Sequence, residues 1–183
     1  MRDAGLARGA EPTDGRVNLR VEILKARNYI DFARALLGSA VLFGAWPEWA
    51  KAAVEADFIE AEALVWAVQV SVLLVGVLVQ TLRYEHRISL YAPLFYLSGL
   101  TLGVCGLYVG LFAMMLAWSI HRVLPGSGAL LSVQALLVLV FGVVFLGVDS
   151  RETFVAAALV FLPVALSLLS RRRLGMFNKR VKA

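Results

Sequence analysis

The sequence predicts an all-α fold, a polytopic membrane helix bundle, on the evidence of its composition and the placement of its charges. Of its 183 residues 60% are hydrophobic, and the mean hydropathy is +0.77. Charged residues make up only 17% and lie mostly at the ends of the chain or between apolar stretches. A soluble domain could not bury this much apolar surface, because most residues of a small fold still contact water. The composition excludes a disordered chain, a secreted disulfide scaffold and a nucleic-acid-binding domain.

Five hydrophobic helical segments are predicted, if one membrane span takes about 20 residues. The first is short, and the third is too long for one upright span, so that it would tilt or project beyond the lipid. We expect a flexible tail at 1–16, a single helical domain at 17–170 and a basic tail at 171–183, with four or five segments spanning. The segments cover residues 29–47, 63–82, 90–120, 127–148 and 153–170.

The distribution of Lys and Arg bears on how many segments span, because cytoplasmic loops carry an excess of these residues. With five spans the two sides would carry 9 and 8 of them, which is no bias. If the last segment enters the membrane and returns to the same side, the two sides carry 15 and 2 Lys and Arg residues. If instead the first segment does not span, they carry at least 14 and 3. This favours four spans with both tails in the cytoplasm. Arginine outnumbers lysine 14 to 4, which is typical of a GC-rich bacterial genome. For such a chain we expect a multi-pass location in the plasma (inner) membrane.

An N-terminal amphipathic helical extension is predicted to lead into the first segment. Apolar residues recur at spacings of four and three from Leu19 to Leu37, and arginines recur every seven residues on another face. Asp31 is within one helical turn of both Arg27 and Arg34, so either arginine can reach it. Two interpretations are open: a charge-compensated helix entrance, or a site for an ion or lipid headgroup at the cytoplasmic leaflet.

A row of small residues runs along the third segment with a repeat of about 3.5 residues. Membrane helices associate through close backbone approach at small residues, so we expect this row to pack against another helix. A groove for a cofactor is the alternative. The row consists of Ala92, Gly99, Gly103, Gly106, Gly110, Ala113 and Ala117.

A polar row runs along the second segment, from Glu62 through Gln69 and Gln80 to Arg83. Both glutamines need hydrogen-bond partners, because an unsatisfied amide is costly in hydrocarbon. They could join helices, with Gln134 of the fourth segment as a partner, or form a polar path or a quinone-type headgroup site. The candidate ligand or path residues are Gln69, Gln80, Glu62, Arg83, Asp31 and Arg34.

Side chains that carry chemistry are few. Cys105 is the one cysteine, so no intrachain disulfide is possible. His86 and His121 would lie about 50 Å apart on a straight helix and could not share a metal. We therefore predict no catalytic residue, no metal and no cofactor, and the absence of charge deep in a span argues against an ion-coupled transporter.

The leading functional hypothesis is a non-catalytic helical subunit, anchor or scaffold of a larger membrane assembly. Its predicted partners are a bilayer with anionic headgroups and a membrane protein or second copy of the chain, with no nucleic acid. One alternative is a small oligomeric channel or carrier with a polar path along the second span. Another is an intramembrane redox or quinone- or lipid-binding protein.

The motif Arg34-Ala-Leu-Leu-Gly38, followed by Leu42-Phe43-Gly44 and a second span ending at Arg83, resembles DoxX-type small four-helix membrane proteins. The resemblance covers about half of the chain. The chain departs from that pattern by its fifth segment and by glutamine in the second span, where an acid is expected. No residue's role is carried over from the family.

Overall fold

The computed structural model of the chain describes residues 22–45, 59–85, 87–172 and 174–175. Within these ranges the chain is mostly helical. By length and composition, four of its helices could cross a membrane, which confirms the predicted membrane-embedded helical class. The helices are α1 (Ala26–Ala40), α2 (Ile59–Thr81), α3 (Leu94–Ser119), α4 (Ser127–Leu146) and α5 (Arg151–Ser170), and the four are α2 to α5. The predicted tail at 1–16 and most of the tail at 171–183 lie outside the described residues.

A small sheet closes one end of the bundle, where the sequence predicted no strands. β1 (Leu82–Glu85) pairs antiparallel with β2 (Arg87–Tyr91), and β3 (Leu174–Gly175) pairs parallel with β2. The third helical segment therefore begins at residue 94 and not at 90. The all-α prediction misses the sheet because its strands are short and β3 comes from a distant part of the sequence.

α1 differs from the predicted first segment in the residue at which it begins. It begins at Ala26 and continues as a π-helical turn, Val41–Ala45. The predicted apolar stripe faces outward, with Ile30 52% and Leu37 65% exposed, whereas Ala35 and Ser39 are buried. An exposed aliphatic face of this kind can contact lipid tails as favourably as it can contact another protein helix. Leu19, where the stripe was predicted to begin, lies outside the described residues.

α3 turns back on itself at Gly106, whose φ is 79°. The rings of Phe95 and Trp118 contact each other, with centroids 5.0 Å apart. In a straight helix 23 residues would separate them by about 34 Å. Glycine adopts a positive φ without steric cost, which permits the turn. α3 is therefore a hairpin of two half-helices, 94–105 and 107–119, with Gly106 at its tip. Although it is long and apolar enough to span, its two ends lie on the same side of the bundle.

The hairpin defines two faces of the bundle. Its open end lies beside the sheet, where the Ala92 amide donates to the Gly175 carbonyl at 3.0 Å. Ser127 Oγ, at the start of α4, donates to the Leu174 carbonyl at 3.0 Å at the same end. We call this end, with the sheet and the start of α1, the tail face. The opposite end, with Gly106 and the loop 147–150, is the loop face.

The first half-helix lies at the centre of the core. Leu97 and Leu100 are fully buried and belong to one apolar cluster with Leu131 of α4 and Val160 of α5. α4 and α5 approach closely at Gly142, where a Cβ atom would overlap the side chain of Thr153. The first half of the hairpin is thus enclosed by α1, α4 and α5, while α2 packs at the edge.

Candidate functional site

A cavity of about 380 Å³ lies at the tail face, between the start of α1, the end of α2 and the open end of the hairpin. We call it the tail-face cavity. It brings together two candidates from separate helices, Asp31 of α1 and Gln80 of α2. Its other polar and aromatic lining residues are Glu22, Lys25, Arg27, Asn28, Tyr91, Phe95 and Tyr96.

Two ion pairs form the charged part of this lining. Lys25 Nζ lies 2.5 Å from Glu22 Oε1, and Arg27 Nε lies 3.6 Å from Asp31 Oδ2. Asn28 Nδ2 also donates to Glu22 Oε2 at 3.0 Å. The carboxylates are the more buried partners, since 12% of Glu22 and 16% of Asp31 is exposed against 33% of Lys25 and 47% of Arg27. The cavity therefore has negative charge within, positive charge nearer the rim and no net charge.

Three other candidates do not join this cavity. Arg34, predicted to reach Asp31 like Arg27, is exposed on α1 and does not line the cavity. Glu62 lies in the first turn of α2, and Arg83 lies in β1 beyond the end of that helix. Their side chains lie outside the part of the structure that is described.

The two glutamines of α2 have separate environments. Gln69 is 4% exposed, and its Nε2 donates to the Leu42 carbonyl in the π-helical turn at 2.6 Å. Next to it, Trp66 makes an edge-to-face contact with Phe43 at 5.4 Å. Gln80 lies eleven residues further along, about 16 Å away at the tail face. Gln69 therefore has the geometry of a residue that joins two helices.

Gln134 bonds to the hairpin and not to the glutamines of α2. It is fully buried, and its Nε2 donates to Ser98 Oγ at 3.2 Å. Thr101 Oγ1 donates to the Ser98 carbonyl at 2.9 Å, while Gln134 Oε1 has no partner among the described residues. Sequence reasoning missed Ser98 and Thr101, although two hydroxyls beside a glycine row were a possible signal for a polar contact.

The small residues of the hairpin approach different neighbours. A Cβ atom at Gly99 or Gly103 would overlap the backbone of α1 near Leu36. A Cβ atom at Gly110 would lie 2.6 Å from Leu102 Cα, in the other half of the same hairpin. Gly106 has open space around it, so its role is conformational. Ala113 and Ala117 are fully buried.

A second cavity, of about 600 Å³, surrounds the hairpin tip at the loop face. It is bordered by Gly106, Phe43 and the loop residues Asp149 and Ser150. The neighbouring Cys105 is buried, and its Sγ donates to the Glu152 carbonyl at 3.6 Å. In the described ranges no group of His, Cys, Asp and Glu side chains is placed to hold a metal ion.

Comparison with known proteins finds no relative. No family model matches the sequence, and no curated protein and no solved structure matches it. The resemblance to DoxX-type proteins therefore has no support from a family match.

Proposed function

We propose that the protein is a non-catalytic helical subunit, an anchor or scaffold of a larger membrane assembly. The supporting observation is the outward face of α2. Only 17% of its most apolar stretch is buried within the chain, against 33% for α4 and α5 and 50% for α3. Among the described residues, α2 is thus the spanning-length helix with the smallest share of its apolar stretch buried.

The exposed face of α2 has the composition of a helix–helix interface. Ala63, Ala67 and Ser71 recur every fourth residue, and all three are exposed. Small residues at this spacing let two membrane helices approach closely. Val68 and Val72 beside them are 41% and 50% exposed and can pack on the neighbouring helix. A helix of a membrane partner or of a second copy fits this face.

Both tails are proposed to lie on the cytoplasmic side of a plasma (inner) membrane. Because α3 turns back at Gly106, the loops and tails attached to the tail face contain 15 Lys and Arg residues, against 2 at the loop face. Cytoplasmic sides carry such an excess. The sequence predicted the same split with the last segment turning back, whereas in the structure the third segment does so. A reporter fused after Ala183 that proved external would contradict this orientation.

Cysteine crosslinking in native membranes tests the α2 interface. In a Cys105→Ala background, Ser71→Cys marks the α2 face, and Val144→Cys on α4, where Val144 is 69% exposed, is the control. We expect a short bis-maleimide to link Ser71→Cys to a partner or second copy and to leave Val144→Cys unlinked. Equal linking at both positions, or none at either, would contradict the proposal.

Purification in mild detergent gives an independent test of the same interface. We expect the chain to co-purify with a stoichiometric partner or as an oligomer, and Ser71→Leu to reduce this association because added bulk separates the helices. Gly38→Leu is the matched control, because Gly38 is exposed on α1 with open space around it. A monomer from native membranes would contradict the proposal.

A small channel or carrier is the second candidate, and the interrupted helix α3 favours it. Discontinuous helices build the binding sites of many transporters, and non-helical backbone is tolerated where it borders a water-filled cavity. Gly106 borders the loop-face cavity. The polar path along α2 that the sequence predicts has less support, because the Gln69 amide donates its hydrogen bond to the Leu42 carbonyl. Ion or solute flux into liposomes containing the purified chain alone would favour this candidate over the subunit.

A further inference from the structure

The charge arrangement of the tail-face cavity fits a ligand that carries both signs of charge. Two carboxylates and two cations line it, so a singly charged ligand would meet as many like charges as opposite ones. We propose that the cavity binds the zwitterionic headgroup of an aminophospholipid, a phosphate linked to a primary ammonium, from the leaflet at the tail face.

The exposure of the four charged side chains indicates how this headgroup is oriented. Asp31 and Glu22 are the more buried, so the ammonium group lies inward and donates charge-assisted hydrogen bonds to their carboxylates. Arg27 and Lys25 lie nearer the rim, where they contact the phosphate. The Arg27 guanidinium can bind two phosphate oxygens at once.

The position of the cavity suits a lipid and not only a soluble zwitterion. It lies where the spanning-length helix α2 ends at Thr81 and the α3 hairpin opens at Leu94, which places it at one end of the apolar helices. Tyr91 and Tyr96 line it, and aromatic residues of this kind concentrate at membrane–water interfaces. Leu94 and Phe95 add apolar lining against which the glycerol and the start of an acyl chain can pack. Its volume is within the usual range of ligand sites.

The same chemistry predicts discrimination among headgroups. A choline headgroup has the same charges but no N–H donor for the carboxylates, and a glycerol headgroup brings the phosphate without a cation. Loss of a hydrogen bond to a charged group weakens binding by about tenfold or more. Ethanolamine lipids should therefore bind most tightly.

Binding to the purified full chain in detergent tests this selectivity. The probes are dioctanoyl phosphatidylethanolamine, phosphatidylcholine and phosphatidylglycerol, measured by native mass spectrometry and calorimetry. We expect the ethanolamine lipid to bind about tenfold more tightly than the other two. Equal binding of all three would overturn the proposal. Soluble glycerophosphoethanolamine tests whether the ligand is a membrane lipid or a soluble zwitterion. If it binds more weakly than the ethanolamine lipid, the result supports a lipid site, and if it binds equally tightly, the lipid site is overturned.

Charge-neutralising variants locate the site. Asp31→Asn and Glu22→Gln should each abolish the preference for the ethanolamine lipid over the choline lipid. Arg27→Gln should lower the affinity for all three lipids. The control is Arg122→Gln, because Arg122 is exposed in the tail-face loop outside the cavity. Each variant's melting temperature is measured beside its binding, so a folded Asp31→Asn or Glu22→Gln protein that keeps the wild-type preference would overturn the assignment.

Discussion

The two halves of the α3 hairpin have the same small-residue spacing but different surroundings. In the first half, Gly99 and Gly103 press against α1, and Leu97 and Leu100 are fully buried. In the second half, Gly110 packs against the first half. The difference shows that a periodic row identifies residues that would share one face of a continuous helix, but neither where the helix turns back nor which neighbour covers each part of the row.

The second half also carries an exposed aromatic surface that the first half lacks. Tyr108 is 70% and Phe112 46% exposed, and both rings stack on Phe145 of α4. This half lies at the outside of the bundle, where lipid can cover apolar side chains. Substitutions in the two halves should therefore differ in cost.

The largest effect is expected from Gly103→Leu in the first half. Its Cβ atom would overlap Ser39 Oγ and lie 2.7 Å from the Leu36 carbonyl oxygen, so α1 must move away. We expect a loss of about 3 kcal/mol or more in the free energy of unfolding, because backbone cannot yield as a side chain can. Denaturant titration in detergent measures this. Gly38→Leu is the control, and equal stability of the two variants would show that α1 does not pack on Gly103.

Gly106→Ala distinguishes the hairpin from a straight helix by the sign of its effect. At a φ of 79° and a ψ of 173°, backbone angles that essentially only glycine adopts, alanine adds strain of about 1–3 kcal/mol and no clash. In a continuous helix the same change would stabilise by about 1 kcal/mol. Thermal unfolding in detergent gives the sign.

A cysteine pair checks the same turn directly. Phe95→Cys and Trp118→Cys, combined in a Cys105→Ala background, replace rings that are 5.0 Å apart by their centroids. A short crosslinker should join them within one chain. Failure of the pair to link in a folded protein would contradict the hairpin.

Gln69→Leu tests the contact that joins α2 to α1. It removes the hydrogen bond to the Leu42 carbonyl, and we expect a loss of about 1 kcal/mol. Gln134→Leu, which removes a longer bond to Ser98 and an oxygen without a described partner, should cost less. Denaturant titrations of the two variants, measured side by side, show which substitution lowers the free energy of unfolding more.

The smallest effect is expected from Tyr108→Leu in the exposed second half. Its ring lies on the surface, so the change should remain within about 0.5 kcal/mol. The same unfolding titration measures it. A loss as large as that of Gly103→Leu would mean that the second half is covered by a partner.

Apolar segments were predictable because hydropathy is a local property of the chain. The start of α4 at Ser127 and the extents of α4 and α5 agree closely with the predicted segments at 127–148 and 153–170. The turn of α3 was not predictable in the same way. The 3.5-residue repeat continues through Gly106, and four glycines in the row gave no sign which of them would adopt a positive φ.

The tail-face cavity was predictable only in part. Asp31 and Gln80 were candidates from the sequence, and the Arg27–Asp31 pair follows from helical spacing within α1. Glu22, Tyr91 and Tyr96 were missed, because β2 and the start of the hairpin bring the tyrosines to α1 through long-range contacts.

By itself the sequence determined that this chain is a helical membrane protein, since apolar runs of spanning length leave few other folds. It also determined that an arrangement with both tails on one side has a strong asymmetry of Lys and Arg, 15 against 2 or at least 14 against 3. Tertiary structure decided which segment turns back and which polar groups meet. Those outcomes depend on close packing between distant residues, such as Gly103 on α1 and Phe95 on Trp118. The glycine repeat marked a packing surface but carried no information about the partner, and the ring contact left no repeat at all.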